Sequence, residues 1–369
     1  MSSFNVELTN IQGPLSLNIN IQGQDYLYFS GTAYLGIPQN SAFIGHYQDG
    51  LKKFGLNNGT SRGNNVQLGI YNEAEAYAAE YFGAEAALIT SSGYLAAQLL
   101  VRAFASEHLI YAPQTHPALW LNGAPETRGG FSAWAKKTVE RINGSPQNKW
   151  VLISNSLNNL FPEQYDFSFL RDILPENELF LIVDDSHGIG LIDKGRGVLN
   201  TIPVLPNVKV TVVASMAKAL GIDAGIILGS TGVIGMLKRS NAFLGASPPA
   251  AAGLYAFMQA ADIYRDELGK LQELMHYFSG KIDSGDWNFI PGYPVYFSQD
   301  PELYAMLLEQ QILISSFPYP DHKGRPLNRV VLSSWATKES LDRLLSALKP
   351  AGPTAFQRGY RADRNAASL

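Results

Sequence analysis

The feature that most restricts the fold is a series of short apolar runs that stop abruptly at polar residues. Two of them read ELFLIVDDSHGIG (residues 178–190) and NVKVTVVASMAK (residues 207–218). Their apolar parts are continuous rather than alternating, which is typical of strands buried on both faces of a mostly parallel sheet. Helical patterns separate these runs. The sequence therefore predicts an α/β fold built around such a sheet.

The pattern changes along the chain and divides it into four predicted parts. Residues 1–40 alternate apolar and polar side chains around a glycine-containing turn, which predicts a β-rich N-terminal arm. Residues 41–258 contain the buried strands and predict a large α/β domain, and residues 259–349 predict a small C-terminal α+β domain. Residues 350–369 are rich in Gly, Pro, Ala and Arg without periodicity, which predicts a loose tail.

Composition excludes several classes of function. The formal net charge is −4 and the isoelectric point is near 5.9, so no basic surface is expected for nucleic acid or for anionic lipid. No apolar run approaches the roughly 20 residues that a membrane-spanning helix needs, and the N-terminus does not resemble a signal peptide. Cysteine is absent, which fits a reducing compartment. We therefore expect a cytoplasmic protein with small-molecule substrates.

Polar side chains with useful chemistry follow two of the buried runs. One run continues into Asp184 and His187, and the next ends at Ser215 and reaches Lys218. Ligands of open parallel sheets bind outside the carboxyl ends of the strands. If these two strands are neighbours, a carboxylate, an imidazole, a hydroxyl and an amine meet at one edge of the sheet.

Two other predicted strands end in candidate residues. The run AALIT leads to Ser92, Gly93 and Tyr94 at the expected start of a helix, whose free amides and positive dipole end would suit a phosphate. The run HLIYA leads to His116. Taken alone, each has an ordinary alternative, because a glycine can simply begin a helix and a histidine can simply pack in the core or lie at the surface.

Together these groups match the needs of one cofactor, pyridoxal 5′-phosphate (PLP). Its aldehyde needs a lysine for a Schiff base, and partial desolvation keeps that amine neutral part of the time. Its ring nitrogen needs a carboxylate to stay protonated, and its phosphate suits a helix N-terminus. The sequence therefore predicts that Lys218 and Asp184 bind opposite sides of the same ring.

Two other interpretations of the same segment are weaker. A dinucleotide fingerprint would use Gly188 and Gly190, but Asp193 stands where the third glycine should be. A metal site could use Asp184, Asp185 and His187, but no second histidine stands at ligand spacing. We therefore predict neither a dinucleotide nor a metal.

Several blocks of the chain resemble those of the α-oxoamine synthases, which are PLP-dependent enzymes of fold type I. The specific blocks are VDDSHGIGLIDKGRGVL and ASMAKALGIDAGIILGS, and the weaker ones are SSGYLAAQ, THPALWLNG and DYLYFSGTAYLG. The resemblance runs in order from about residue 25 to about residue 348. It implies a homodimer that condenses an amino acid with an acyl-CoA, with loss of carbon dioxide, to give an aminoketone.

The resemblance also implies a role for each matching residue. Lys218 would bind PLP covalently and move the substrate's Cα proton, and Asp184 would pair with the ring nitrogen. His187 would lie near the ring's phenolic oxygen, and His116 would stack on the ring face. The residues implied for the phosphate are Ser92, Gly93, Tyr94 and Ser215.

On the substrate side the chain both matches and departs from the family. Arg329 matches the arginine that holds the amino-acid carboxylate. Asn155, also expected near the substrate, replaces a glutamate, Asn159 replaces a serine, and Thr32 and Gly245 lie in blocks that also differ. Two alternatives therefore stay open, namely an aminotransferase or other amino-acid-modifying PLP enzyme of this fold, and a PLP-binding homologue without catalysis.

Overall fold

The computed structural model describes residues 8–127, 129–158, 160–282, 285–319 and 324–348. Its strands are, in chain order, β1 (Asn18–Ile21), β2 (Gln24–Phe29), β3 (Ala86–Thr90), β4 (Leu109–Tyr111), β5 (Lys149–Asn155), β6 (Leu157–Asn158), β7 (Glu163–Gln164), β8 (Glu178–Asp184), β9 (Val208–Ser215), β10 (Gly225–Gly229), β11 (Asn288–Phe289), β12 (Val295–Ser298), β13 (Ile312–Tyr319) and β14 (Arg325–Val331). Its α-helices are α1 (Ser41–Phe54), α2 (Ile70–Phe82), α3 (Gly93–Ala103), α4 (Phe131–Asn143), α5 (Thr231–Lys238), α6 (Asn241–Leu244), α7 (Ala251–Gln259), α8 (Ala261–Ser279), α9 (Leu303–Glu309) and α10 (Lys338–Leu348).

The larger part of the core surrounds a six-stranded sheet with the order β3-β10-β9-β8-β5-β4. Strands β4, β5, β8 and β9 run parallel, as predicted, while β10 is antiparallel to both of its neighbours. The reversal has a simple cause, because residues 216–224 between β9 and β10 are too few for a crossover, which needs about a dozen residues or more. That short connection carries Lys218.

The second sheet joins strands from both ends of the chain, in the order β1-β2-β13-β14-β12-β11. Strand β2 runs parallel to β13, with Leu27 opposite Ile312. The predicted N-terminal arm therefore forms one continuous sheet with strands of the predicted small domain. The division of the chain at residues 40, 258 and 349 stays a prediction, and the proposed tail lies outside the described residues.

Four of the α-helices, α2, α3, α7 and α8, have well-marked boundaries. The helical segment from Ala251 to Ser279 is divided at Ala260 into α7 and α8. Helix α2 ends at Gly83, whose left-handed backbone (φ 72°) is the usual glycine termination of a helix. Helix α3 starts directly beyond the end of β3, as the sequence predicts.

Across the described ranges, we find no helix with the length and apolar character that a bilayer crossing demands.

Candidate active site

The structure brings the predicted acid and amine to one edge of the large sheet. Strands β8 and β9 are parallel neighbours, and Asp184 lies opposite Val213 in their register. Asp184 and Lys218 both line a cavity of about 480 Å³, together with His116, Asn155 and His187. The convergence expected from the strand ends is therefore present in the fold.

Lys218 lies in the short connection after β9 and points at an imidazole. Its Nζ is 3.1 Å from Nε2 of His187. Burial lowers the pKa of Lys218, and the nearby carboxylates of Asp184 and Asp185 partly oppose that effect. Burial thus favours the neutral amine, which is the form that can react with an aldehyde.

His187 is held from its other side by two buried tyrosines. Its Nδ1 is 2.8 Å from the hydroxyl of Tyr34, which is in turn 3.3 Å from the hydroxyl of Tyr293. Burial lowers the pKa of His187 well below its usual value, with further contributions from Lys218 and Arg329, and burial raises the pKa of Tyr34 to about 12. All three rings are therefore neutral near pH 7, and the hydrogen bonds fix the orientation of His187.

Sequence reasoning missed both tyrosines. Tyr34 stands 153 positions from His187 and 259 positions from Tyr293, so no local spacing connects them. A weak signal was present for Tyr34, because it belongs to the DYLYFSGTAYLG block that carries part of the family resemblance.

Asp184 is buried at the end of β8 and is fixed by the backbone that follows it. Its Oδ1 accepts a hydrogen bond from the amide of Ser186 at 2.9 Å. The opposite residue on β5 is Asn155, so the two side chains leave neighbouring strands at the same level of the sheet. A carboxylate held in this way suits the protonated nitrogen of the PLP ring.

The next residue, Asp185, explains two glycines of the DDSHGIG…GRG block. Its Oδ2 accepts a hydrogen bond from the amide of Val198 at 2.8 Å, and burial raises its pKa to about 7. A Cβ at Gly188 would lie 2.0 Å from one carboxyl oxygen, and a Cβ at Gly197 would lie 2.3 Å from the other. These glycines leave the space that the buried carboxyl group occupies.

His116 forms one wall of the cavity. It precedes a short 3-10 helix over residues 117–119, and its Nδ1 accepts a hydrogen bond from the amide of Ala118 at 3.2 Å. Burial lowers the pKa of His116, while Asp184 raises it and Lys218 lowers it. The ring is therefore neutral and tied to the backbone, as a flat surface for a cofactor ring requires.

The predicted phosphate residues meet at the start of α3. Ser92 caps the helix by accepting a hydrogen bond from the amide of Leu95 at 3.1 Å. Gly93 packs so tightly on the end of β9 that a Cβ there would lie 2.6 Å from Cβ of Ser215. Tyr94 is 63% exposed, so its amide rather than its ring is the group suited to a phosphate.

Arg329 lies on β14, between Phe297 and Ser315 of the adjacent strands. Its guanidinium carbon is 5.0 Å from the centre of the Phe317 ring. Its positive charge contributes, after burial and Lys218, to the lowered pKa of His187. Arg329 is not among the residues that line the cavity shared by Asp184, His187 and Lys218, and it is separated from Lys218 by more than 100 positions in the chain.

The positions that depart from the family pattern have mainly backbone roles. The carbonyl of Thr32 accepts a hydrogen bond from the amide of Tyr34 at 2.8 Å. Gly245 follows the last residue of α6, Leu244, whose carbonyl accepts a hydrogen bond from the amide of Gly63 at 2.8 Å. Asn159 lies outside the described residues.

One cavity is lined by the amine of Lys218, the carboxylate of Asp184 and the imidazoles of His116 and His187. The capped start of α3 lies against the end of β9, the strand that leads to Lys218. This donor set fits PLP, and together with the fold it defines a transferase of fold type I. The chain belongs to the aminotransferase class I and II family, whose model matches residues 47–348.

Comparisons with single proteins agree with this assignment. The 8-amino-7-oxononanoate synthase of Petrotoga mobilis is 27% identical over 357 residues, which is 90% of each chain. A serine palmitoyltransferase from S. paucimobilis, solved with a bound PLP–myriocin aldimine, superposes with a TM-score of 0.77 at 15% identity and covers 93% of this chain and 92% of its own. The 8-amino-7-oxononanoate synthase of Francisella tularensis gives a TM-score of 0.67 at 17% identity, covering 87% of this chain and 96% of its own. The predicted fold and the resemblance to α-oxoamine synthases are confirmed.

Proposed function

We propose that the chain is a PLP-dependent acyltransferase of the α-oxoamine synthase type. It joins an amino acid to the acyl group of an acyl-CoA and releases carbon dioxide, free CoA and an aminoketone. The observation that carries the proposal is the cavity in which the partly buried Lys218 amine contacts His187 while Asp184 stands at the end of the neighbouring strand. Relatives named 8-amino-7-oxononanoate synthase, which match most of the chain, support this choice over other reactions of the fold.

Each residue then has a definite task. When bound, PLP supplies an electron sink for the bonds at the substrate's α-carbon. Lys218 would hold the cofactor through its aldehyde, and its Nζ is the atom that would accept the substrate's α-proton. Asp184 keeps the ring nitrogen protonated, His116 covers one face of the ring, and the amides at the start of α3 bind the phosphate.

The substrate-side assignments are part of the same proposal. Arg329 binds the carboxylate of the amino acid, because a guanidinium can form two parallel hydrogen bonds to that group. A homodimer and a cytoplasmic location stay predictions, supported by the family resemblance and by the absence of cysteine.

The test uses the PLP-loaded protein with each of the twenty amino acids and a panel of acyl-CoAs of different chain lengths. Because the chain contains no cysteine, a thiol reagent detects released CoA without background from the protein. We expect CoA and carbon dioxide to appear together, and only for particular pairs. Amino transfer to a keto acid without CoA release would instead favour an aminotransferase. A cofactor spectrum that no amino acid changes would favour a homologue without catalysis.

Matched lysine variants control this assay. Lys218→Ala should abolish both the release of CoA and the absorption band of lysine-bound PLP. Lys209→Ala, which removes an exposed lysine from the same strand-and-loop unit, should preserve both. Persistence of the band in Lys218→Ala would remove Lys218 from the mechanism.

A further inference from the structure

We propose that Asn155 is a positioning residue that holds His116 in place over the cofactor, and not a ligand of the substrate. The inference rests on the proposed PLP site, but it concerns how the chain builds that site. Asn155 ends β5 directly opposite Asp184 of β8, so the side chain starts beside the carboxylate assigned to the ring nitrogen. It also lines the same cavity as His116.

The amide of Asn155 bridges the backbone on both sides of Thr115. Its Oδ1 accepts a hydrogen bond from the amide of His116 at 3.1 Å. Its Nδ2 donates a hydrogen bond to the carbonyl of Gln114 at 2.6 Å. Both polar atoms of the side chain therefore bind the loop that carries the imidazole, which leaves the amide oriented by the main chain.

The bridge needs an amide at this position. A carboxylate could accept from His116, but it has no hydrogen to donate and would face the carbonyl oxygen of Gln114. It would also place a second negative charge beside Asp184. Asn155 replaces the glutamate of the family pattern with a neutral group that accepts and donates at once.

The loop of residues 114–116 needs these two hydrogen bonds because its backbone is strained at Gln114. Gln114 has a φ of 59°, in the left-handed region that non-glycine residues rarely adopt. From the other side, Trp120 Nε1 donates to the carbonyl and the hydroxyl of Thr115, both at 3.1 Å. The bond to Asn155 thus helps to hold Gln114 in an unfavourable conformation that presents the next residues, including His116, to the cavity.

The positive φ of Gln114 makes a rescue experiment possible. Removing the bridge in Asn155→Ala should raise the dissociation constant of PLP about tenfold, as expected for the loss of two hydrogen bonds at a partly exposed site. It should also weaken the visible circular dichroism of bound PLP, because the ring is no longer held against His116. Adding Gln114→Gly should restore PLP affinity to within about threefold of wild type, since glycine adopts a positive φ without strain. Amino-acid affinity of the loaded protein should change less than twofold throughout.

Asn143→Ala is the matched control. Asn143 also accepts from a backbone amide and donates to a carbonyl, at Leu174 and Asp172, but it does not line the cavity. Its loss should lower the unfolding midpoint and leave PLP affinity and circular dichroism unchanged. If Asn155→Ala behaves like this control, the positioning role is overturned.

Two further results would also overturn the inference. One is a large loss of amino-acid affinity in Asn155→Ala with unchanged circular dichroism of bound PLP. The other is a double variant, with Gln114→Gly added, whose PLP affinity is no higher than that of Asn155→Ala.

A readout without cofactor separates this inference from the proposed function. The His116 signal in the NMR spectrum of ¹³C-histidine-labelled protein, assigned with His116→Gln, should move in Asn155→Ala and return in the double variant. Failure to detect acyl transfer would refute the proposed function and leave these results standing, whereas an unmoved His116 signal would refute the positioning role alone.

Discussion

Gly93→Ala should damage the site, although alanine is normally the better residue in a helix. Gly93 is the first residue of α3, and a Cβ there would lie 2.6 Å from Cβ and 2.7 Å from Cα of Ser215. Carbon atoms in good contact are about 3.5 Å apart or more, so the helix start and the strand end must separate by roughly 1 Å. The neighbour is backbone and a short side chain, neither of which can rotate away.

The size of the effect follows from two opposing contributions. Helix propensity alone would stabilise the alanine variant by about 0.5–1 kcal/mol, whereas forcing an extra methyl group into a packed contact costs about 1–3 kcal/mol. At the middle of both ranges the contact penalty is the larger contribution, so we expect a net loss of about 1 kcal/mol, and at most about 2.5 kcal/mol, in the free energy of unfolding. Displacement of the amides assigned to the phosphate should also weaken PLP binding by about tenfold or more.

Gly45→Ala provides a control with the same chemistry and the opposite expected sign. Gly45 lies inside α1, and a Cβ there meets nothing within 4 Å. Urea unfolding of the cofactor-free proteins should show Gly45→Ala as stable as wild type or more stable, and Gly93→Ala as less stable. Fluorescence titration with PLP then measures the cofactor affinity of each. A Gly93→Ala protein that matches the control in both assays would refute the close contact between α3 and β9 and the role of this helix start.

Three other changes test separate parts of the site. Arg329→Ala should weaken amino-acid binding by about tenfold to a hundredfold, as expected for the loss of a charge-assisted hydrogen-bonded pair, and should change PLP affinity little. Spectral titrations measure both affinities, and equal losses of the two would contradict the role assigned to Arg329. Tyr34→Phe leaves Nδ1 of His187 without its hydroxyl partner, so the unfolding free energy should fall by about 1–3 kcal/mol, and an unchanged urea midpoint would disprove this bond. The carboxyl of Asp185 has a pKa raised from 3.8 to about 7 in the folded protein, so the folded state holds a proton that the unfolded state has lost between these values. The contribution of Asp185 to stability should therefore fall as pH rises across that window, by up to about 1.4 kcal/mol per pH unit. The lowered pKa values of His187 and His116 act in the opposite direction, so the test is the difference in unfolding free energy between wild type and Asp185→Asn, which should change with pH in urea titrations from pH 4 to 7.

The sequence predicts the reactive edge of the large sheet because its signal is local. Apolar strands end where the chain becomes polar, and parallel strands present those ends together, so Asp184, His187 and Lys218 could be placed before any coordinates. The antiparallel direction of β10 could also have been read from the short connection after β9. These features depend on residues close to one another in the chain.

The rest of the site depends on contacts that no local pattern encodes. The hydrogen bond from Tyr34 to His187 and the packing of Gly93 on Ser215 join segments more than 100 positions apart. The bridge from Asn155 to Gln114 depends on a backbone conformation that the sequence does not reveal. Sequence reasoning therefore assigned Asn155 to the substrate, whereas the positioning role that we propose for it rests on this bridge.

The sheet that joins the two ends of the chain has a consequence for biosynthesis. Ser30 and Ser315 share a hydrogen bond of 2.6 Å across 285 positions, and the carbonyl of Tyr34 accepts from the amide of Ser334. At a translation rate of about 5–20 residues per second, β1 and β2 leave the ribosome on the order of tens of seconds before β13 exists. During that interval the nascent hairpin exposes an unsatisfied edge, which is the kind of surface that chaperones protect. Because Tyr34 pairs with Ser334, it reaches its final position only after nearly all of the described chain has been synthesised.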